Sequence, residues 1–344
     1  MADVINLFSD TQTRPTEGMR KAMYEAEVGD EQRLADPTTN ALQERVAELL
    51  GHQAGLFLPT GTMCNEIAYR LHLGPGGDEV ILDKTAHPLQ FEAGGPASLS
   101  GAVMSPLDGD AGIFTPEQLE AAIRPPGDRY APRSKLVSVE QTTNIGGGRL
   151  WPIETIRGVL GVTRAHGLSA HMDGARLMNA VVASGVSAAD HASGFDTAWI
   201  DFTKGLGAPI GAVLVGSSHL IDEAWRYKQM WGGAMRQSGV VAAAGLYALD
   251  HHVERLAEDH ENARLLAEGL AEIDGVTIDP SKVDTNIVVF EVADATKTGD
   301  ELRSAGVQVT RLDATRLRAV THLDVDRGGI DRALEVMRSI ITTA

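Results

Sequence analysis

The chain has 344 residues, of which 43% are hydrophobic and 22% charged, a composition typical of a globular protein with one large and one smaller domain. Its net charge of −17 argues against binding to nucleic acid or to an anionic membrane surface. No apolar run suits a membrane span, no signal peptide is visible, and the single cysteine, Cys64, excludes an internal disulfide and a multi-cysteine metal site. We therefore expect a cytoplasmic protein without a metal site and without membrane or nucleic-acid partners.

Apolar periodicity predicts alternating helices and strands over the first two thirds of the chain. In chain order they are helix 40–50, strand 55–59, helix 62–73, strands 79–82 and 135–139, helix 155–165, and strands 168–172, 197–202 and 212–215. This alternation favours a mostly parallel sheet with helices on both faces. A long helical stretch, 240–273, is followed by strands near 276–278, 286–291, 307–310 and 317–320 and by helices near 298–304 and from 330. We expect a large α/β domain over 1–244 and a smaller α+β domain over 245–344.

Two chemically useful side chains lie at the ends of predicted strands. Asp173 follows the strand 168–172, and Lys204 lies two residues beyond the strand 197–202. In open α/β sheets, ligands bind outside the carboxyl ends of the strands. A lysine and a carboxylate at that edge suit pyridoxal phosphate, which needs a Schiff-base lysine and an acid partner for its ring nitrogen. Taken alone, the pattern suits equally well a surface lysine in a glycine-rich turn.

A third feature precedes the predicted helix 62–73. Residues 59–63, Pro-Thr-Gly-Thr-Met, join a strand to that helix. A helix N-terminus with glycine backbone and threonine hydroxyls offers donors to a phosphate, although the same segment also suits a helix cap without a ligand. With Asp173 and Lys204, it completes the three parts that a pyridoxal phosphate site requires.

Several segments, in order from residue 9 to residue 325, resemble motifs of the threonine aldolases, a group within the β-eliminating lyase-like enzymes. They are 9–15 (SDTQTRP), 36–43 (DPTTNALQ), 58–62 (LPTGT), 86–87 (AH) with 91–95 (FEAGG), 173–176 (DGAR), 204–207 (KGLG), 235–239 (MRQSG) and 320–325 (VTHLDV). The resemblance implies a pyridoxal phosphate enzyme of fold type I, the aspartate-aminotransferase-like fold. It also implies a homodimer or a homotetramer built as a dimer of dimers.

The resemblance implies particular residues at the cofactor. Lys204 would hold it as a Schiff base, Asp173 would keep its ring nitrogen protonated, and His87 would stack on the ring and relay a proton. The other residues implied at the cofactor are Gly61 and Thr62 at the phosphate, Arg176 at the ring or its 3-oxygen, and Arg236 at a phosphate. Arg236 would reach the phosphate within its own subunit or across a subunit interface. A purely structural ion pair is an equally good interpretation of this arginine.

The resemblance also implies a substrate site, with two departures from the family pattern. Arg318 would pair with the α-carboxylate of an amino acid, with Ser9 as a second contact and Arg176 nearby. In the family's Glu-Asn-Thr-His-Asn stretch, Thr143 replaces the histidine, and a threonine cannot act as a base near neutral pH. We expect Thr143 to shape the aldehyde pocket. Arg33 replaces a tyrosine of the family pattern. It would either bind an acidic side chain of the substrate or be a solvated surface residue.

These features together predict a lyase that cleaves a β-hydroxy-α-amino acid, such as threonine, allo-threonine or phenylserine, to glycine and an aldehyde by a retro-aldol reaction. We expect His87, or a water that it positions, to be the base that acts on the β-hydroxyl. An enzyme of the same fold that performs β-elimination, racemisation or transamination is an alternative, because the family histidine is missing. A non-catalytic ligand-binding protein is a further alternative, against which Lys204 and Asp173 argue together.

Overall fold

The structure, a computed structural model, describes residues 4–342. The strands in this range are β1 (Ile5–Asn6), β2 (Ala54–Leu58), β3 (Asp78–Asp83), β4 (Val103–Leu107), β5 (Arg133–Glu140), β6 (Ser169–Asp173), β7 (Thr197–Asp201), β8 (Ala212–Gly216), β9 (Ile287–Glu291), β10 (Val307–Gln308), β11 (Thr310–Arg311) and β12 (Arg316–Val320). The α-helices are α1 (Glu17–Tyr24), α2 (Pro37–Leu49), α3 (Gly61–His72), α4 (His87–Gln90), α5 (Gly95–Ser100), α6 (Pro116–Ala122), α7 (Ile153–Ala165), α8 (Leu177–Ser184), α9 (Ala188–Ala192), α10 (Ser218–Met230), α11 (Gly239–His251), α12 (Leu256–Ala271), α13 (Ala295–Ser304) and α14 (Arg327–Ile341).

A seven-stranded sheet forms the centre of the larger part, in the order β2-β8-β7-β6-β5-β3-β4. The strands from β4 to β7 in this order are parallel to one another, and β8 runs antiparallel to both of its neighbours. Successive residues of β8 pack in different hydrophobic clusters, Val213 in one and Leu214 in the other. Both faces are therefore covered, and the prediction of a mostly parallel sheet flanked by helices is confirmed.

The register of the sheet brings three strand ends together. Glu140 of β5 lies opposite Asp173 of β6, and β7 follows on the other side of β6. Because these strands are parallel, their carboxyl ends share one edge of the sheet. Lys204 follows β7 at this edge, and the candidate site lies there.

A second layer contains the C-terminal third of the chain. It comprises the antiparallel sheet β11-β12-β9 and the parallel pair β1–β10, in which Ile5 lies opposite Val307. Its core also includes apolar residues of α12, α13 and α14. The N-terminal strand thus packs with the C-terminal layer. The predicted strand at 276–278 is wrong, since it is reduced to a single bridge between Thr277 and Glu291.

The long helical stretch predicted over 240–273 is two helices. α11 packs against α1 and α2, whereas α12 packs against α14 of the C-terminal layer. The two cores meet along α12, because Leu256 packs in the first core and Leu266 in the second. The domain boundary at residue 244 stays a prediction. Among residues 4–342, no helix combines the length and the apolar character that crossing a membrane requires.

Candidate functional site

A cavity of about 460 Å³ opens at the carboxyl ends of β5, β6 and β7, beside the N-terminus of α3. This is the edge at which open α/β sheets bind ligands. Most of the site residues predicted from the sequence line it, namely Ser9, Gly61, Thr62, His87, Asp173, Arg176, Lys204 and Arg318. The cavity therefore combines parts of the sheet, the N-terminal segment and the C-terminal layer.

Lys204 lies in the turn after β7 with 16% of its side chain exposed. Its Nζ donates to Asp201 Oδ2 and lies 5.9 Å from the centroid of the Trp199 ring. The other oxygen of Asp201 accepts from the backbone N–H of Thr203 at 2.8 Å and from its hydroxyl at 2.7 Å. Asp201 therefore both orders the turn and holds the lysine amine at the cavity.

Asp173 is the last residue of β6 and is 1% exposed. Its Oδ1 accepts from the N–H of Ala175 at 3.0 Å, and its Oδ2 accepts from Asn65 Nδ2 at 2.9 Å. Asn65 is oriented in turn by the indole N–H of Trp199, which donates to Asn65 Oδ1 at 2.8 Å. The carboxylate is thus fixed in direction at the base of the cavity.

The N-terminus of α3 forms another part of the cavity wall. Thr60 caps the helix by accepting from the N–H of Met63 at 3.1 Å. A Cβ at Gly61 would lie 2.3 Å from the ring of Trp199, so only glycine allows the helix to approach this closely. The N–H groups of Gly61 and Thr62 have no acceptor within the helix. They border the cavity and suit a phosphate.

His87 begins α4 and borders the cavity. Its Nδ1 lies 2.8 Å from Glu92 Oε1, and its ring centroid lies 5.4 Å from that of Phe91. Burial by itself would lower the pKa of His87. The hydrogen bond to Glu92 and the charges of Asp173 and Glu140 outweigh it, and the pKa of His87 is raised.

Arg318 of β12 reaches the cavity from the C-terminal layer. Its Nη1 donates to Asn144 Oδ1 at 2.7 Å, while its buried Nε has no partner among residues 4–342. Burial and the neighbouring Arg176 lower the pKa of Arg318 to about 10, which leaves it cationic at neutral pH. Ser9 lies in the same lining, its Oγ accepting from the N–H of Thr11 at 3.2 Å. An anion in the cavity would satisfy the free donor of Arg318.

Arg176 lines the cavity, but its guanidinium is paired with Asp10. Nε and Nη2 donate to the two carboxylate oxygens at 2.8 and 2.7 Å, and Asn286 Nδ2 donates to Asp10 Oδ2 at 3.1 Å. Burial would raise the pKa of Asp10, but the charges of Arg176 and Lys204 hold it well below its usual range. The predicted contact of Arg176 with a cofactor ring or substrate stays a prediction.

Three predicted residues are not in the lining. Thr143 is buried, and its Oγ1 accepts from the N–H of Arg149 at 3.1 Å, inside the loop that follows β5. Arg33 and Arg236 are exposed, and each lies beside Asp30, at 3.8 and 3.2 Å. The structure therefore does not bring Thr143, Arg33 or Arg236 into the cavity of a single chain.

Several lining residues were missed by sequence reasoning. Glu140 ends β5 beside Asp173, and its Oε2 accepts from the N–H of Asn144 at 3.0 Å. Burial, and then the charge of Asp173, raise the pKa of Glu140 to about 7. The position of Glu140 at the end of a predicted strand was a signal from which its place in the site could have been predicted. Asn65 was predictable too, because it lies one helical turn after Gly61 on α3.

These residues fit pyridoxal phosphate with an α-amino acid beside it. The amine of Lys204 and the buried carboxylate of Asp173 border the same cavity as the helix N-terminus of α3. The unpartnered Nε of Arg318 supplies a donor for a carboxylate. Among residues 4–342 no cluster of three or more histidine, cysteine or acidic side chains could hold a metal ion.

Comparisons with known proteins show which family the chain belongs to. A profile of the family "Beta-eliminating lyase" matches residues 6–295. The chain is 42% identical to the low specificity L-threonine aldolase of Escherichia coli (strain K12), over 94% of this chain and 95% of that protein. It is 36% identical to low-specificity L-threonine aldolase 1 of Arabidopsis thaliana, over 98% and 97%. The solved threonine aldolase of Leishmania major shares the fold, with a TM-score of 0.83 at 20% identity and coverage of 98% and 99%.

Proposed function

Because the chain belongs to the β-eliminating lyase family and aligns with threonine aldolases along nearly its whole length, we propose that it cleaves threonine and related β-hydroxy-α-amino acids to glycine and an aldehyde. It is a pyridoxal phosphate enzyme of fold type I. The observation that carries the proposal is that Lys204, Asp173 and Arg318 border one cavity, although they come from distant parts of the chain.

Pyridoxal phosphate, when bound, supplies an electron sink for the pair of electrons released as the Cα–Cβ bond breaks. Lys204 is the residue to which it would attach, and Asp173 would keep the ring nitrogen protonated. The N–H groups of Gly61 and Thr62 would bind the phosphate. Asn65 Nδ2 donates to Asp173 Oδ2 at 2.9 Å and so fixes the orientation of the carboxylate that would meet the ring nitrogen.

Arg318 and Ser9 would bind the α-carboxylate of the substrate. Asn144 holds one arm of the guanidinium, which leaves Nε free for the carboxylate. A fixed carboxylate sets the rotation of the amino acid about its Cα–N bond and so decides which bond at Cα is aligned for cleavage.

His87, or a water that it positions, would remove the proton of the β-hydroxyl. Its Nδ1 is bonded to Glu92, so Nε2 is the ring nitrogen available for proton transfer. The neutral imidazole is the base, and because the pKa of His87 is raised, we expect the acid limb of the rate profile above the ordinary histidine value.

The test of the function is chemical. Purified enzyme is loaded with pyridoxal phosphate, reduced with borohydride and mapped, and the label is expected on Lys204. Lys204→Arg should abolish the label and the activity, whereas the exposed Lys84→Arg should keep both. Threonine should yield glycine and acetaldehyde, and ammonia with a keto acid as the main products would instead indicate β-elimination.

We propose further that the enzyme is a cytoplasmic homodimer or homotetramer. Large apolar side chains, including Leu34 and Val240, are exposed on a single chain. In such an assembly Arg236, beside Asp30, would bind a phosphate in a neighbouring subunit's site or form a structural ion pair, and Arg33 would meet an acidic substrate side chain or remain a solvated surface residue. Sedimentation equilibrium measures the number of subunits in the assembly. A cofactor dissociation constant that rises in Arg236→Ala would support the phosphate role, and an unchanged one would contradict it.

A further inference from the structure

Behind His87 lies a pair of buried carboxyl groups to which the proposed reaction assigns no role. Glu66 is on α3 and Glu92 follows α4, and they are 3% and 5% exposed. Both oxygens of Glu66 and Oε2 of Glu92 lack a hydrogen-bond partner within residues 4–342. Two ionised carboxylates buried as neighbours, one of them without any hydrogen bond, would carry a large desolvation and repulsion cost, so at least one of them must hold a proton.

The neighbours of the pair restrict its geometry. A Cβ at Gly95 would lie 1.9 Å from Glu66 Oε1, so the Glu66 carboxyl is pressed against the backbone that begins α5. Glu92 Oε1 accepts from Asn65 Nδ2 at 2.8 Å and lies 2.8 Å from His87 Nδ1. With Oε1 engaged twice, Oε2 is the oxygen of Glu92 that remains for Glu66.

The charges around the pair favour a proton on Glu66. Burial, and then the neighbouring Glu92, raise the pKa of Glu66 to about 8. Burial also raises the pKa of Glu92, but the hydrogen bonds from His87 and Asn65 oppose that rise. The other titratable groups that interact with the pair or with His87 are Tyr69 of α3, Cys64 of α3, Asp173 of β6 and Glu140 of β5.

We propose that Glu66 and Glu92 share one proton, with neutral Glu66 donating to Glu92 Oε2, and that the pair keeps Glu92 anionic toward His87. Glu66 is thus a positioning residue, acting on His87 through Glu92. The proton on Glu66 is not consumed. His87 Nδ1–H stays bonded to Glu92 Oε1, and only His87 Nε2 exchanges protons at the cavity. The inference rests on the proposed function for the role of His87, whereas the shared proton is a property of the chain alone.

Infrared spectroscopy tests the shared proton without any reaction. Cofactor-free protein carrying ¹³C-labelled glutamate is measured at pH 7 as wild type, Glu66→Gln and Glu66→Leu. The wild-type-minus-variant difference spectra should show the C=O stretch of a protonated carboxylic acid, which both variants lose from Glu66 while keeping any contribution from Glu140. Glu48→Gln, at an exposed position on α2, is the control and should leave that band unchanged. Glu140, whose pKa is about 7, contributes the same part of the band in all of these proteins, so a band of undiminished intensity in the Glu66 variants would overturn the proposal.

Histidine NMR tests the positioning role, with the His87 signal assigned by its loss in His87→Asn. Glutamine keeps a neutral donor for Glu92 Oε2, so Glu66→Gln should leave the pKa of His87 at its raised value. Leucine removes the donor, so Glu92 takes up a proton more readily and the pKa of His87 should fall in Glu66→Leu. If Glu66 acted by packing alone, the two variants would give the same His87 titration, and the positioning role would be wrong.

Thermal unfolding supplies an independent readout. The pKa of Glu66 is raised in the folded state, from an ordinary 4.5 to about 8, so the wild type loses stability as the pH rises between these values. Glu66→Gln removes this loss. Its Tm should match the wild type at pH 5 and exceed it at pH 9, and equal Tm differences at the two pH values would contradict a shared proton. All three measurements remain decisive even if glycine is not the product of the enzyme.

Discussion

Arg318 Nε is buried and without a partner in the described chain, while Nη1 of the same guanidinium donates to Asn144 Oδ1 at 2.7 Å. At the residue scale, the other charged side chains of the cavity already have ion-pair or hydrogen-bond partners, such as Asp201 for Lys204 and Asp10 for Arg176. A buried donor without an acceptor is costly. The free Nε therefore marks where an anionic substrate group is expected.

Arg318→Ala should raise the KM for amino acids at least about tenfold, because a lost charge-assisted bidentate pair costs roughly 1.5–3 kcal/mol. Steady-state cleavage of threonine measures the change, and cofactor content should stay the same. Arg316→Ala, on the same strand but paired with Asp313, is the matched control and should leave the KM unchanged. A higher KM in both variants would point to a disturbed strand rather than a lost carboxylate contact.

Substitutions of His87 and of Thr143 should have very different effects on the cleavage rate. His87→Asn should lower the cleavage rate at least about a hundredfold, the usual scale for general base catalysis. Thr143→Ala removes an acceptor for the N–H of Arg149 outside the cavity, so it should keep most of the rate and lose about 1 kcal/mol of stability. Both variants are compared at matched cofactor content. An inactive Thr143 variant beside an active His87 variant would refute these roles.

At the element scale, α3 supplies several parts of the site from one face. Gly61 and Thr62 begin the helix, and Asn65 and Glu66 follow one turn later. Because residues four apart lie on the same side of a helix, the N–H groups proposed to bind the phosphate, the amide that holds Asp173 and the carboxyl of Glu66 share one side. The packing of Gly61 against Trp199 sets the position of all of them.

Gly61→Ala should weaken cofactor binding, because the added methyl would lie 2.3 Å from the indole ring and push the helix N-terminus away. Fluorescence titration with pyridoxal phosphate measures the dissociation constant. In Gly161→Ala, on α7, the methyl meets nothing within 4 Å, so this control should keep the affinity and stabilise the fold by about 0.5–1 kcal/mol. Equal affinities in both variants would show that the close approach at Gly61 is not needed.

At the scale of the whole molecule, the N-terminal segment joins the two layers. β1 pairs with β10 in the C-terminal layer, and a few residues later Asp10 pairs with Arg176 beside the large sheet. Asn286, next to β9, also donates to Asp10. One buried carboxylate thus connects three parts of the chain at the wall of the cavity.

Asp10→Asn should lower the free energy of unfolding by about 3–5 kcal/mol, because it leaves the buried guanidinium of Arg176 without a counter-charge. The pKa of Asp10 is depressed in the folded state, so its contribution is present above the ordinary aspartate pKa of about 4 and is lost as the pH falls below it. Urea unfolding at pH 7 and pH 3 measures both effects. Glu25→Gln, in the exposed pair with Lys21, should change little at either pH, and an equally small change in Asp10→Asn would contradict the bridging role.

The sequence by itself determined the strands of the large sheet other than β4, and the chemistry that suits the cofactor. Strand periodicity placed Asp173 and Lys204 at strand ends, and the short motif 59–63 marked the helix N-terminus, because these signals depend only on neighbouring residues. The alternation of strands and helices was likewise sufficient for the α/β class. The break of the predicted helix 240–273 into α11 and α12 was not visible, because both halves have helical composition.

Only the tertiary structure decided which side chains meet. Thr143 occupies the position of a histidine in a family motif, yet its side chain lies inside the loop after β5, while Glu140 and Asn144 of the same segment border the cavity. Arg33 and Arg236 lie beside Asp30, away from the cavity of their own chain. The Glu66–Glu92 pair joins α3 to the segment after α4 and has no local signature. The physical reason is that burial and hydrogen bonding between distant segments arise only when the sheet edge, α3 and the C-terminal layer pack together.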